Sequence, residues 1–279
     1  MKEIIELRIN YEYADLLFER DEGRNLGTSV KIVELTREDP RYHKIPVIAK
    51  QIQQNYNKAF FFGWEIKRKY SKKELDAAEL FHMKVKTTFE PAGQECGTIY
   101  DETVACNICG ANRDQRSSLI LKRGSVPNKD IAKTIAGEVV VSKKFELAFR
   151  QRALKGALLD PIVMNKVTSN YFQLASSIEV NLSQNTVAGV NPFDMSTKDQ
   201  GEIYKCPMGH TIGLNLLSEL FILNSELIAG NDLIVSKQKI GVKRGLLRPE
   251  PVYFCSQSFR EMVNDEKLSG FEFEVAHIM

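Results

Sequence analysis

No apolar run in this sequence approaches the ~18 residues that a membrane-spanning helix needs. The amino terminus, Met1-Lys2-Glu3-Ile4-Ile5-Glu6, has neither a long apolar stretch nor a signal-cleavage pattern. The expectation is a cytoplasmic protein with no membrane partner. Cysteine is scarce: there are five in 279 residues, an odd number. That speaks against a disulfide framework and fits a reducing compartment. An excess of one charge is missing as well. The 38 basic residues meet 36 acidic ones, for a net charge of +2, too even to drive binding to nucleic acid by bulk electrostatics. At 43% hydrophobic and 27% charged, the chain is globular rather than disordered.

Catalytic signatures are missing too. There is no G-x-S-x-G, no H-E-x-x-H, no phosphate loop of the G-x4-G-K-[ST] type and no G-x-G-x-x-G. His43, His82 and His277 stand singly among unrelated residues. Tyr100-Asp101-Glu102 could act as an acid/base group beside a metal, although such a run more often makes a polar turn. The chain leans away from catalysis.

What is present is a pair of cysteine loops. Cys106-Asn107-Ile108-Cys109-Gly110 is a C-x2-C knuckle followed by glycine, and Cys206-Pro207-Met208-Gly209-His210 is a C-x3-H pair. Three thiols and one imidazole are the ligand set of a closed, four-coordinate structural zinc site, with no position open for a substrate water. Two cysteines three apart reach one ion only through a tight turn, which Gly110 permits. Pro207 and Gly209 punctuate the second turn. The loops lie about a hundred residues apart, so a shared zinc joins distant parts of one fold. Cys96, in Glu95-Cys96-Gly97, is the reserve ligand. The alternative is a redox pair or ordinary buried thiols.

Along the chain, Ile4 to Tyr11 reads as a strand, Val30 to Leu35 as a short strand, Pro46 to Asn57 as a helix and Ala59 to Ile66 as an aromatic strand. Ser71 and Glu74 form a capping box, and the helix behind it carries Leu75, Ala78, Leu80, Phe81 and Met83. A strand, Val85 to Phe89, precedes the knuckle. Leu119 to Leu121 reads as a strand, Ile131 to Ile135 as a short helical turn, and the apolar run Leu214 to Ala229 as strand or helix, with Leu216, Leu217, Leu220 and Phe221 favouring a short helix. Strands are also expected at Tyr171–Leu174, Ile178–Val180, Glu202–Lys205 and Leu233–Ser236. Trp64, Lys67, Arg68, Lys69 and Tyr70 form a basic and aromatic cluster. It is a candidate partner-binding face that leaves nucleic-acid contact open.

An internal repeat appears at one constant offset. Val139-Val140-Val141-Ser142 matches Tyr253-Phe254-Cys255-Ser256, Phe145 matches Phe259, Phe149 matches Val263, and Leu154 and Gly156 match Leu268 and Gly270. Each copy reads as a strand ending in a serine N-cap, a helix, a glycine at the C′ position and a second strand. The run Gly97 to Glu102 with the knuckle resembles bacterial proteins that carry C-x2-C-G motifs. The ending Leu247-Arg248-Pro249-Glu250-Pro251, with Leu268-Ser269-Gly270-Phe271-Glu272-Phe273, is similar to the carboxyl-terminal part of double-CXXCG and related immunity-type families. The second motif departs from C-x-x-C-G, because here it is Cys206-Pro207-Met208-Gly209-His210. The resemblance implies a bacterial protein that binds a toxin.

The reading is an α+β protein of repeated strand–helix–strand units with mixed sheets, joined by a zinc-ribbon-like structural site. It divides into an N-terminal α/β segment, 1–90, and a zinc-bridged region, 91–279, that holds related units at about 130–165 and 244–279. The expected function is non-enzymatic, zinc-stabilised protein binding. A zinc-ribbon nucleic-acid binder and a metal-dependent hydrolase are the alternatives.

Overall fold

Alternating apolar residues make the first strand, Lys2–Asn10. The computed structural model, which describes residues 1–193, 204–223 and 230–279, places it inside a sheet. Ile5, Leu7 and Ile9 are fully buried, as one strand face against a core requires. The strand pairs antiparallel with Val30–Leu35 and with Phe61–Lys69, and Arg24–Leu26 extends the edge. The helix Ile45–Tyr56 carries proline in its first turn and ends on Asn57 in the left-handed conformation (φ 54°). A return segment beginning at Asn191 belongs to the same unit. There the Tyr42 hydroxyl donates to the Pro192 carbonyl at 2.6 Å.

The capping box forms as expected: the Glu74 N–H donates to Ser71 Oγ at 3.2 Å and the Ser71 N–H to Glu74 Oε2 at 2.7 Å. Its helix, however, ends at Ala77. Leu80, Phe81 and Met83, which the sequence reading carried into that helix, lie in the strand Leu80–Val85. Phe81 and Met83 face one apolar core and Leu80 another. A strand buried on both faces is apolar without alternation, and so imitates a helix. The strand is central to the second unit, which begins at Leu75. The boundary therefore falls between Glu74 and Leu75, ahead of the division read at residue 90.

Two further expectations are corrected. Ile131–Thr134 is a strand paired antiparallel with Val139–Ser142, not a helical turn. In the run left between strand and helix, Leu216, Leu220 and Phe221 lie in the short strands Asn215–Leu216 and Leu220–Ile222, not in the favoured helix. Leu220 and Ile222 are buried with a half-exposed residue between them, the period of a strand. The rest of that reading, 224–229, and Glu202 and Ile203 of an expected strand lie outside the described residues.

The second unit is mostly sheet. One sheet runs, edge to edge, Thr88–Phe89, Ile131–Thr134, Val139–Ser142, Val167–Ala175, Leu158–Met164 and Ile120–Leu121. Its outermost pairings are parallel and those within are antiparallel. The other runs Glu179–Val180, Leu233–Ile240, Glu250–Ser256, Leu80–Val85, Phe271–Ile278 and Leu220–Ile222, with the same succession of pairings. Thr211–Gly213 also pairs with Leu233–Ile240.

The two serine-capped helices contribute to a core that also draws on both sheets. Ser142 Oγ accepts the Phe145 N–H at 3.2 Å and opens Lys143–Gln151; Ser256 Oγ accepts the Phe259 N–H at 3.1 Å and opens Gln257–Asp265. Phe145 and Phe259 are fully buried with ring centroids 5.8 Å apart. Two aspartates tie each helix start to the loop after the other helix. Asp130 accepts the Ser142 hydroxyl at 2.8 Å, and the Ser269 N–H and hydroxyl at 2.8 and 2.9 Å. Asp232 accepts the Ser256 hydroxyl at 2.7 Å and the Lys155 N–H at 2.9 Å.

Burial works to raise the Asp130 carboxyl, but the Ser269 N–H and the two serine hydroxyls outweigh it and hold it below the ordinary carboxylate value. A carboxylate lowered on folding contributes stability above its unfolded value, near pH ~4, and loses it as the pH falls through the folded value. Asp130→Asn should therefore destabilise the protein at neutral pH and reduce the slope of stability against pH on the acid side. Urea unfolding followed from pH 7 to pH 3 measures this, and an unchanged slope would contradict it. No helix among the described residues is long and apolar enough to cross a membrane.

Candidate metal centre

Cys106 and Cys109 lie in a loop between the paired short strands Tyr100–Asp101 and Asp114–Gln115. The loop closes through its own backbone: the Cys106 N–H bonds the Ala111 carbonyl and the Gly110 N–H bonds the Cys106 carbonyl, both at 2.8 Å. Gly110 has φ 69°, and a Cβ there would sit 2.4 Å from Lys243 Cδ, so both conformation and space demand glycine. The second loop closes in a similar way, from the Cys206 N–H to the Thr211 carbonyl at 3.0 Å and from the Gly209 N–H to the Cys206 carbonyl at 2.9 Å.

These turns bring the four expected ligands together. Cys106 Sγ is 3.8 Å from Cys206 Sγ, and His210 Nδ1 is 3.8 Å from Cys206 Sγ and 4.0 Å from Cys109 Sγ. All four donor atoms lie within 4.8 Å of one another, close enough to hold a metal ion. A tetrahedral ion with metal–sulfur bonds of ~2.3 Å and a metal–nitrogen bond of ~2.0 Å spaces its donors by roughly 3.5–3.8 Å. The three distances are at or just above that range. No disulfide forms, and Cys96, at the end of the turn Gly93–Cys96, is outside the cluster. The N–H groups of Cys109 and Ile108, then the His210 ring, draw the Cys106 thiol down to about 6. Burial first, with the neighbouring sulfurs, pushes Cys109 up to about 11. A cation at the centre would compensate that crowding of thiolates.

Around the centre the charges are mutually neutralised. Glu102 receives Arg248 Nη2 at 2.8 Å, Arg113 Nη1 at 3.4 Å and Lys243 Nζ at 3.4 Å. Despite burial, these cations hold its carboxyl below the ordinary value. Asp101 is drawn down to about 2, chiefly by the Thr103 hydroxyl and then by Arg116. The Tyr100 hydroxyl donates to Glu138 Oε1 at 2.7 Å while the Arg113 guanidinium lies 3.7 Å from its ring centre. Burial and the Glu138 charge push that phenol far above its ordinary value.

No protein-family model matches the chain, and no curated protein matches it in sequence. The site therefore has to be read from its own geometry.

The basic and aromatic cluster is dispersed by its strand. Lys67 and Arg68 are adjacent in Phe61–Lys69 and point to opposite faces. Lys67 pairs with Glu6 at 2.5 Å; Arg68, with only 3% of its side chain exposed, pairs with Glu3 at 3.0 Å. Trp64 and Tyr70 are half-buried and Lys69 is exposed. Sequence reasoning missed Arg113 and Glu138. The backbone N–H of Lys239 bonds the His210 carbonyl at 2.8 Å. Burial draws its ammonium below the ordinary value, with Glu179 and Cys109 acting the other way. No local signal marks Arg113 or Glu138, because their partners are distant in sequence.

Proposed function

We propose that this chain is a non-enzymatic, cytoplasmic protein-binding module held in shape by one structural zinc ion, of the kind that bacterial immunity proteins direct against a toxin. The observation that carries the reading is the closed ligand set built from two matching halves. Thr88–Phe89 and Ile120–Leu121, the edges of one sheet, flank the first cysteine loop. Glu179–Val180 and Leu220–Ile222, edges of the other, flank the second. Each half supplies two ligands, so the halves read as duplicated units stapled by a zinc-ribbon-like site. Three thiolates and an imidazole favour zinc and fill its four positions, leaving none for a reacting water.

The loops also support a binding role. Ile108 and Met208, each two positions past the first cysteine of its loop, are 58% and 68% exposed. Apolar side chains on turns fixed by a metal are pre-organised anchors for a protein interface, with little ordering cost on binding. The partner to test is a toxin domain encoded beside this chain. Calorimetry should give a one-to-one complex, and Ile108→Asp with Met208→Asp should weaken it at least ~100-fold while elemental analysis still finds one zinc per chain. No complex, or one indifferent to both substitutions, would overturn the partner assignment. Protein purified without chelator and free of metal would overturn the zinc. Binding to mixed DNA or RNA that falls steeply with salt would favour the nucleic-acid alternative.

A further inference from the structure

The second unit holds a cleft of about 400 Å³, within the ~300–1,000 Å³ range of small-molecule sites. Leu214, Leu216, Ile240, Val242 and Val252 line it, and it shares Arg248, Glu250 and Pro251 with a polar cavity of about 170 Å³ that also contains Lys239. The cations elsewhere in the cleft are occupied: Lys133 pairs with Glu250 at 2.5 Å, and Lys84 with Glu274 at 2.7 Å. At the shared wall they are occupied only in part. Arg248 is nine-tenths buried, with 10% of its side chain exposed, and its Nη atoms are held by Glu102 and by the Gly245 and Leu247 carbonyls. Its Nε is buried with no hydrogen-bond partner. The Lys239 ammonium makes no hydrogen bond or ion pair with a described residue. A buried guanidinium N–H without an acceptor is costly, and such a group calls for an explanation.

We propose that this cleft binds a small amphipathic carboxylate, with its apolar body along Leu214, Leu216, Ile240 and Val252 and its anionic head at Arg248 on the Lys239 side. The apolar walls supply affinity by removing the body from water. The free Nε and the unpaired ammonium supply orientation and the choice of an anionic head. The site is independent of the protein-binding reading, since it uses neither Ile108 nor Met208.

Octanoate and octanol are the probes, titrated by calorimetry into the intact, metal-loaded protein. Octanoate should bind at least ~10-fold more tightly than octanol. Arg248→Gln should reduce octanoate to the affinity of octanol and leave octanol unchanged. Val242→Trp keeps Arg248 but fills the apolar end, and should abolish both. No octanoate binding at millimolar concentration, equal affinity for the two probes, or full octanoate affinity in folded Arg248→Gln would each overturn the proposal. Should Arg248→Gln fail to fold, unchanged octanoate binding by Val242→Trp overturns it instead.

Discussion

Cys206→Ser should strip the protein of its metal and lower its stability by about 4–5 kcal/mol. The size follows from where the ligand lies. A metal that joins Cys106 and Cys109 to Cys206 and His210 closes a loop of about a hundred residues, and the crosslink model puts the denatured-chain entropy removed by such a loop at ~4.7 kcal/mol. Folding and metal binding are linked besides, because the unfolded chain has no assembled site. Serine is nearly isosteric with this buried cysteine, 3% exposed, so little of the loss should come from packing. Chelation of the wild-type protein should produce a similar drop, reversed by added zinc.

The same site predicts non-additivity. Cys106→Ser and Cys206→Ser disable one ion, so the double variant should be within about 1 kcal/mol of the worse single one. His82→Ala is the comparison: His82 lines the apolar cleft, lies outside the cluster, and should cost much less. Urea unfolding with metal analysis decides between these outcomes. Additive losses, or a Cys206→Ser protein that keeps its metal and its midpoint, would show that the loops share no ion.

The clustering of the four candidate ligands was legible because ligand chemistry is local. Cysteine and histidine at turn spacing, with glycine or proline beside them, announce the site within a few residues, and the chain need only bring two such loops together. The serine caps were legible for the same reason: Ser142 and Ser256 act on N–H groups three residues away. The strand Leu80–Val85 was not, because it is buried on both faces and pairs with Glu250–Ser256 and Phe271–Ile278 from the far end of the chain. Ile131–Thr134, with burial at Ile131, Ala132 and Thr134, lacks clean alternation as well. The charged surroundings of the site were hidden for a related reason. Glu102 meets Arg248 across more than half the sequence, and nothing beside either residue indicates the other.

Gly156→Ala and Gly270→Ala should each cost about 2–4 kcal/mol, and by similar amounts. Both glycines follow a serine-capped helix with nearly the same conformation, φ 97° and 98°. A Cβ at Gly156 would lie 2.1 Å from the Leu233 carbonyl oxygen, and one at Gly270 2.3 Å from that of Ile131. Those carbonyls begin matching hairpin strands, Leu233–Ile240 and Ile131–Thr134. The Lys155 carbonyl accepts the Asp232 and Leu233 N–H groups, and the Ser269 carbonyl those of Asp130 and Ile131. Each glycine therefore lets the loop after one helix close onto the strand of the opposite half. Alanine adds backbone strain of about 1–2 kcal/mol and a clash with backbone that cannot swing aside, which costs about another 1–2 kcal/mol. Gly124→Ala is the control: its φ is 79° but no atom lies within 4 Å of the added Cβ, so only the conformational cost, about 1–2 kcal/mol, should appear. If the halves are copies used reciprocally, the two losses agree within about 1 kcal/mol in urea unfolding and exceed the control. A loss at one glycine alone would mean that the matching turns bear unequal loads, and the duplication would then lose its mechanical support.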